Sequence, residues 1–329
     1  MKNLFKNLLL STIGSTLLLM TSCKKDILTE SPLPDLDNYN SVKDFYTQNQ
    51  ARLQTYSVNA TTGGSFTCEK GTKITIPANA FVDGNGNQIN GDIKFNIKEI
   101  YDKSDMLLSN KPTSMFTGID TAGRVKFTPL KSGGEVFIQP VADTGKVFIQ
   151  KGKNIDIAMP TPAIDGNMQA FVEKPIPNDT TGQFLWQKDT VNTVKIDSSA
   201  LDYIYKLYSF SSNNDQGTWI NSDNSSYFPI NNQVSIDINQ TDNILQYNTN
   251  VFLVFKNVKT VVRINYYGTN FPYNYAPNNE ECTLVATGIK DGKLFASFTP
   301  ITITSGANIN FSLTETTTDE FKTKLKTLN

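Results

Sequence analysis

Residues 93–98 read IKFNIK and residues 72–76 read TKITI, so apolar and polar side chains alternate along both stretches. Successive side chains of a β-strand point to opposite faces of a sheet, so this alternation predicts strands with one buried and one solvated face. Similar short runs continue towards the C-terminus, and DG at residues 291–292 lies between two of them as a hairpin turn. We therefore predict an all-β chain with two Ig-like β-sandwich domains in tandem.

The end of the chain departs from this pattern. Phe321, Leu325 and Leu328 are spaced by four and three residues, and Thr318 and Asp319 precede them. Apolar residues at this spacing lie on one face of a helix, and Thr or Asp is typical of a helix start. We predict a short C-terminal helix that closes a sheet edge or covers a core.

The composition excludes several functional classes. The 329 residues contain no histidine, which excludes histidine-dependent nucleophiles, histidine general bases and imidazole metal ligands. Lys and Arg number 30 against 31 Asp and Glu, so the chain lacks the basic excess of a nucleic-acid-binding protein. Paired carboxylates leave no local motif, but two small sandwiches with short loops rarely supply the cleft they need. We expect no enzymatic activity, no cofactor and no nucleic-acid partner.

The N-terminus has the features of an export signal. Lys2 and Lys6 precede an apolar stretch at residues 8–20, which is too short to span a bilayer and ends in LMTSC at residues 19–23. This segment resembles a bacterial lipoprotein signal, which implies cleavage before Cys23 and lipidation of its thiol. The sequence CKKD at residues 23–26 resembles the start of Bacteroidota-type lipoproteins, which implies an outer-membrane, lipid-anchored protein exposed at the cell surface. The alternative is an ordinary signal peptide with an incidental cysteine.

Proline clusters and changes in composition divide the chain into five parts. Residues 23–52 are polar and include few residues that could form a core, and a short helix near residues 41–50 is compatible with this composition. The parts are a signal peptide at 1–22, a polar tether at 23–52, a first sandwich at 53–160, a β-containing connecting region at 161–200 and a second sandwich at 201–329.

Several motifs resemble known families. GTKITIPANAFVD at residues 71–83, SDMLLSN at 104–110 and SGGEV at 132–136 resemble uncharacterised Bacteroidota cell-envelope lipoproteins and, more distantly, the ZU5-like β-sandwich. CTLVA at 282–286 and DGK at 291–293 are weakly similar to carboxypeptidase-regulatory-like modules. The resemblance implies a structural or interaction module and supplies no catalytic residue. We therefore expect a non-enzymatic envelope lipoprotein that acts as an adhesion, scaffold or assembly module.

Two groups of residues are candidates for ligand binding. Trp219, Asn221 and Asp223 fall in GTWINSD, which resembles a signature of the same lipoproteins, although Ser222 stands where a cysteine is commoner. A tryptophan beside Asn and Asp can stack on a sugar and bond its hydroxyls, or it can anchor a loop in the sandwich. The second group is the aromatic segment at residues 266–275, which either forms a binding platform or folds over the end of the sandwich. Its candidate residues are Tyr266, Tyr267 and Tyr273.

These candidates support an alternative function, a glycan-binding surface lipoprotein of an outer-membrane uptake system. Its partners would be the membrane, through the lipid anchor, and a glycan. For the adhesion or scaffold function, the partners would be the membrane and envelope proteins.

Asp83, Asn85 and Asn87 match the first three ligand positions of a calcium loop. Such a loop requires a glycine next and a bidentate glutamate at its twelfth position, where this chain has Gln88 and Lys94. The Gly residues between these positions are instead typical of a hairpin turn, and we predict a turn without a metal.

Cys68 and Cys282 remain after lipidation of Cys23. Export allows disulfides to persist, so a bond between them would link the two sandwiches. The alternative is two independent thiols, each buried as a small apolar side chain on its own strand.

Overall fold

The computed structural model describes residues 38–121, 123–143, 145–176, 184–210, 217–268 and 270–329. The predicted signal peptide and Cys23 lie outside the described residues. In the described ranges the chain forms 23 β-strands and three α-helices, so the predicted all-β fold is confirmed. The strands are β1 Gln54–Asn59, β2 Gly64–Thr67, β3 Lys73–Ile76, β4 Phe81–Val82, β5 Asp92–Ile100, β6 Ser114–Ile119, β7 Val125–Pro129, β8 Lys131–Val141, β9 Phe148–Ile149, β10 Ile155–Pro160, β11 Gln169–Pro175, β12 Phe184–Lys188, β13 Thr193–Asp197, β14 Asp202–Leu207, β15 Thr218–Asn224, β16 Gln233–Gln240, β17 Thr249–Phe255, β18 Val261–Ile264, β19 Phe271–Pro277, β20 Glu281–Lys290, β21 Lys293–Thr302, β22 Asn308–Phe311 and β23 Thr314–Glu315. The helices are α1 Val42–Asn49, α2 Lys103–Leu108 and α3 Thr318–Lys326, with 3-10 turns at Ile230–Asn232 and Gln246–Asn248.

The first sandwich packs an eight-stranded sheet against a five-stranded sheet. The eight strands follow the order β1-β5-β8-β15-β11-β12-β6-β7, and the five follow β13-β14-β10-β3-β2. The stretch IKFNIK lies in β5, which pairs antiparallel with β1 and β8. Its apolar residues Ile93, Phe95 and Ile97 are fully buried between the two sheets. The alternation in the sequence therefore places one face of β5 in the core, as predicted.

Strands from the range assigned to the second sandwich contribute to the first. Strand β14 pairs with β10, and β15 lies between β8 and β11 in the eight-stranded sheet. These partners are distant in sequence, so a local pattern does not show which sheet a strand joins. The predicted second sandwich begins at residue 201, but the first sandwich is built from strands on both sides of that position.

The second sandwich contains a three-stranded sheet, β19-β16-β22, and a five-stranded sheet, β18-β17-β20-β21-β23. Asp291 and Gly292 have φ values of 52° and 79° and form the predicted hairpin turn between β20 and β21. Phe127 of β7 and Leu185 of β12, from the far end of the eight-stranded sheet, are buried in the same core. The eight-stranded sheet therefore contributes to both sandwich cores.

A third apolar cluster lies between the two sandwiches and includes residues of all three helices. The N-cap of α3 is Thr317, whose hydroxyl accepts a hydrogen bond from the Glu320 amide at 3.2 Å, while the Glu320 carboxylate accepts one from the Thr317 amide at 3.1 Å. Phe321 and Leu325 are buried, as predicted, and α3 covers the cluster between the sandwiches. No helix in the described ranges is both long and apolar enough to cross a membrane.

The predicted tether, residues 23–52, contains a packed segment. Tyr39, Val42, Phe45 and Tyr46 are buried in the cluster between the sandwiches, and Ser41 caps α1 by accepting a hydrogen bond from the Asp44 amide at 3.1 Å. The tether prediction therefore needs correction over this part. The segment is polar in its overall composition, but α1 and the preceding turn place its four apolar side chains on one side.

Candidate functional site

Strand β15 carries the first group of candidate ligand residues, and all seven of its residues are buried. Trp219 is 8% exposed, and its ring centroid lies 5.3 Å from that of Phe137. Asn221 and Asp223 are fully buried. These residues therefore offer no surface to a sugar, in contrast to the binding hypothesis. Trp219 instead packs against the rings of Phe137 and Phe184 in the apolar cluster between the two sandwiches.

The polar residues of β15 belong to a buried acidic cluster, which we define as Ser132, Glu135, Asn221 and Asp223. Glu135 of β8 lies opposite Asn221 in the antiparallel pair. The Asn221 side-chain amide donates a hydrogen bond to Asp223 Oδ2 at 2.6 Å, and Ser132 Oγ donates one to Asn221 Oδ1 at 3.3 Å. Both Glu135 carboxylate oxygens and Asp223 Oδ1 are buried without a hydrogen-bond partner among the described residues. Most buried polar groups in proteins have a hydrogen-bond partner, so three buried carboxyl oxygens without one distinguish this cluster from an ordinary core.

Two glycines allow the backbone to approach this cluster. A Cβ atom on Gly133 would lie 2.5 Å from the Ser222 carbonyl oxygen. Only glycine therefore fits at this position of β8, where the strand pairs with the irregular part of β15. Gly134 has a φ of 140°, and a Cβ atom there would lie 2.3 Å from the ring of Tyr101. The motif SGGEV thus combines two close-approach positions with the buried Glu135.

Two lysines, Lys111 and Lys259, lie near the buried acidic cluster, and their positive charges act against the effect of burial on the pKa of Glu135. Lys259 Nζ donates a hydrogen bond to the Gly133 carbonyl oxygen at 3.2 Å. Lys111 Nζ lies 4.0 Å from the ring centroid of Phe184 and 4.9 Å from that of Trp219, which places the ammonium group on aromatic faces. Lys259 lies between β17 and β18 of the second sandwich, and its carbonyl oxygen accepts a hydrogen bond from the Ser132 amide at 2.9 Å, so the cluster lies where the two sandwiches meet.

Burial shifts the titration of these groups towards their neutral forms. It raises the pKa of Glu135 well above the usual carboxyl range, and the nearby Asp223 raises it further. Burial also raises the pKa of Asp223 well above its usual value. It lowers the pKa of Lys111 to about 8 and lowers the pKa of Lys259. The cluster is enclosed, so its titration affects stability, whereas a substrate in solvent cannot reach its carboxyl groups.

The second group of candidate ligand residues lies mostly in strand β19 and its flank. Tyr273 is 1% exposed, and its ring stacks on Phe127 with centroids 5.0 Å apart. Tyr266 packs against Phe271 and donates a hydrogen bond to the Gly268 carbonyl oxygen. Tyr267 is exposed at the rim. The structure therefore favours the alternative in which the aromatic segment covers the end of the second core, with Tyr267 alone of the three candidates on the surface.

The stretch with calcium-loop spacing forms a turn. Asp83 Oδ1 accepts hydrogen bonds from the backbone amides of Asn85 and Asn87 at 2.8 and 2.9 Å, and Gly86 has a φ of 84°. The Asp83 carboxylate therefore stabilises the turn itself. Among the residues that the structure describes, no three His, Cys, Asp or Glu side chains group in a way that could hold a metal ion.

Cys68 and Cys282 are both free and buried, so the disulfide considered in the sequence analysis is not formed. Cys68 lies in the core of the first sandwich and Cys282 in that of the second. Each side chain packs as a small apolar group in its own core, which keeps the two thiols apart. Burial raises the pKa of both thiols.

A polar groove of about 270 Å³ opens between α1, the end of α2 and strands β17 and β18. We call it the cationic groove, because Lys43, Lys111 and Arg263 line it and no Asp or Glu does. Arg263 donates hydrogen bonds through Nη1 to Asn110 Oδ1 at 3.0 Å and through Nη2 to Asn250 Oδ1 at 2.6 Å. These bonds fix the guanidinium group in the wall of the groove.

Sequence reasoning did not find the buried acidic cluster or the cationic groove. The motifs containing Glu135 and Asp223 were noticed, but neither carboxyl group carries a local sign that it is buried and unpartnered. The groove combines residues from four separate stretches. Ser109 and Asn110 lie in the quoted motif SDMLLSN and Lys111 follows it, but the motif does not show that they meet the other three stretches.

No protein-family model and no curated protein matches this chain. The functional argument therefore depends on the chain's own residues.

Proposed function

We propose that this chain is a non-enzymatic, lipid-anchored protein of the outer membrane that acts at the cell surface as an adhesion, scaffold or assembly module. The observation that carries the proposal is the eight-stranded sheet that contributes to both sandwich cores. Residues of three helices fill the space between the sandwiches. A body joined in this way holds its surfaces in fixed relative positions, which is what a scaffold or adhesion module requires.

Hydrogen bonds across the junction support the same function. The Ser132 amide donates to the Lys259 carbonyl oxygen at 2.9 Å, and the Thr113 amide donates to the Val261 carbonyl oxygen at 2.7 Å. Thr260 Oγ1 donates to the Leu130 carbonyl oxygen at 2.8 Å. The first sandwich and the second are therefore joined by backbone bonds as well as by apolar packing, which resists a hinge between them.

The proposed absence of catalysis rests on two observations. The chain has no histidine, and the paired carboxyl groups that stand out, Glu135 and Asp223, are fully buried. Paired carboxyl groups catalyse glycoside hydrolysis only where a sugar lies between them. The alternative function of glycan uptake loses most of the residues on which it was based, since Trp219 and Tyr273 are buried.

The anchor is tested by Cys23→Ser in the producing bacterium. We expect the variant to lose incorporation of labelled palmitate and to leave the membrane fraction during a high-salt wash. Cys68→Ala is the matched control, because it removes a cysteine from the folded part and keeps Cys23. A Cys23→Ser protein that still sediments with outer membranes contradicts the lipid anchor.

The scaffold function is tested by native electrophoresis of outer membranes solubilised in a mild detergent. We expect the tagged chain to migrate in a complex of reproducible composition, well above its own mass of 36.5 kDa. Migration at the mass of the single chain, in membranes where known complexes stay intact, contradicts the scaffold function.

A further inference from the structure

A turn at one end of the second sandwich presents two large apolar side chains to solvent. The 3-10 turn Gln246–Asn248 leads into β17, and Leu245 immediately precedes it. Leu245 is 54% exposed and Tyr247 is 79% exposed. The residue before them, Ile244, is buried in the core of the second sandwich. The turn is therefore anchored in the fold and yet leaves these two side chains without cover from the described residues.

Hydrogen bonds fix the backbone of this turn. The Leu245 carbonyl oxygen accepts a hydrogen bond from the Asn248 amide at 2.8 Å and another from Thr249 Oγ1 at 3.2 Å. The Asn248 side-chain amide donates to the Ile289 carbonyl oxygen of β20 at 2.5 Å. A segment that is held in this way loses little entropy when its exposed side chains are buried against a partner.

The N-terminal segment enters the fold beside the same turn. Asn248 Oδ1 accepts a hydrogen bond from the Val42 amide at 3.3 Å, which joins the turn to the start of α1. The Tyr39 amide donates to the Gly292 carbonyl oxygen at 2.8 Å, in the hairpin that follows β20. The end of the second sandwich that carries Tyr247 is therefore the end at which the described chain begins.

The predicted lipid anchor limits how far this end can lie from a membrane. Cys23 lies 15 positions before Asn38, the first residue that the structure describes. A chain of this length spans at most about 50 Å. The bilayer is therefore a partner within reach of the turn in every anchored copy.

The exposed side chains have the chemistry of a membrane interface. The ring of a tyrosine lies among apolar groups at the headgroup level while its hydroxyl stays in water, and a leucine beside it can enter the acyl region. Lys43 is exposed and lines the same groove as Tyr247, so its ammonium group can reach headgroup phosphates. Lys290 and Asp291 are both exposed on the neighbouring hairpin, and their charges offset each other. The apolar side chains must therefore supply most of the contact.

We propose that Leu245 and Tyr247 insert into the interface of the bilayer that carries the lipid anchor. This end of the second sandwich then faces the membrane, and the body has one preferred orientation on it. The inference rests on the lipid anchor of the proposed function and adds to it a surface that contacts lipid.

The test is fluorescence of the full-length lipidated protein in vesicles of phosphatidylethanolamine and phosphatidylglycerol. Leu245→Cys is labelled with bimane, and labelling is selective because Cys68 and Cys282 are buried and the thiol of Cys23 carries lipid. We expect the emission to shift to shorter wavelength in vesicles and to be quenched when the lipid acyl chains are brominated. Both effects require the label to lie in the bilayer.

Ile230→Cys with the same label is the matched control. Ile230 is 81% exposed and also begins a 3-10 turn that leads into a strand. Two residues earlier, the ring of Phe228 lies 5.2 Å from that of Phe255 at the end of β17, whereas Tyr247 lies just before the start of this seven-residue strand. A strand of that length spans about 20 Å, so the two labels lie at opposite ends of the sandwich. We expect no wavelength shift and no quenching at position 230.

A second substitution in the labelled Leu245→Cys protein tests the role of the aromatic ring. We expect Tyr247→Ser to remove most of the quenching, because it deletes the larger of the two inserting side chains. Tyr208→Ser is the matched control, since Tyr208 is 38% exposed next to β14 of the first sandwich and should leave the quenching unchanged. Both tyrosines are exposed, so we expect both variants to fold.

Three results overturn the inference. Equal quenching at positions 245 and 230 would show that the turn has no preference for the bilayer. A wavelength shift at position 245 that brominated lipid does not quench would place the turn against a second copy of the chain. A protein that does not float with the vesicles in a density gradient would contradict the lipid anchor as well, whereas the first two results leave the anchor intact.

Discussion

Replacing Glu135 by glutamine is expected to stabilise the protein at neutral pH. Glu135 is fully buried, and neither of its carboxylate oxygens has a hydrogen-bond partner in the described part of the chain. Burial, with a further contribution from Asp223, raises the pKa of Glu135 well above the usual carboxyl range. The folded protein therefore keeps a proton on Glu135 at pH values where the unfolded chain has released it.

The size of the effect follows from proton counting. The free energy of unfolding changes with pH in proportion to the protons bound by the unfolded chain minus those bound by the folded protein. Above the unfolded pKa of 4.5 and below the raised folded pKa, the folded protein binds one more proton at Glu135, so stability falls as pH rises. One proton corresponds to about 1.4 kcal/mol per pH unit. Glutamine does not ionise, so the advantage of Glu135→Gln grows by about this amount for each unit in that window.

Urea unfolding of both proteins at pH 5, 6 and 7 measures this difference. The matched control is Glu281→Gln, because Glu281 is exposed and its ion pair with Lys256 contributes at most about 1 kcal/mol. We expect the control difference to stay nearly constant over the same range. A difference between Glu135→Gln and the native chain that does not grow from pH 5 to pH 7 would refute the reasoning. It would mean that Glu135 is ionised in the fold and that Lys111 and Lys259 balance its charge.

Three further predictions concern the packing of the fold. Phe321→Ala should lower the free energy of unfolding by about 3–5 kcal/mol, because the ring is fully buried, whereas Phe148→Ala should have little effect at a side chain that is 44% exposed; urea unfolding measures both. Gly134→Ala should cost about 2 kcal/mol or more, because its φ is 140° and its Cβ would overlap the ring of Tyr101, whereas Gly84→Ala places its Cβ in open space. A loss of stability in both glycine variants would contradict the close-approach argument. The two buried cysteines should react with a thiol reagent only after denaturation without reductant, because burial raises the pKa of each thiol, and a failure to detect both would establish a disulfide.

Local patterns in the sequence predicted the elements that local physics determines. The alternation of residues 93–98 predicted β5, the turn residues Asp291 and Gly292 predicted a hairpin, and the spacing of Phe321 and Leu325 predicted α3. In each case the side-chain period or the backbone preference is a property of adjacent residues.

The residues of the candidate sites could not be found in this way. Strand β15 reads TWINSDN and is buried along its whole length, so it has neither the alternation nor the apolar run by which a strand is recognised. Its burial results from β8 and β11 on either side and from both packed faces, which depend on distant parts of the chain. The same holds for Lys111 and Arg263, which become neighbours of one groove only after the second sandwich packs on the first.

The first residues that the structure describes are attached to the second sandwich before the chain reaches the first. The Tyr39 amide donates to the Gly292 carbonyl oxygen at 2.8 Å, and the Tyr39 hydroxyl lies 2.7 Å from Thr318 Oγ1. A pull on the N-terminal segment therefore loads the β20–β21 hairpin and α3 first. Because α1 follows at once and packs between the sandwiches, tension passes into the junction of the two cores and bypasses the edge strand β1.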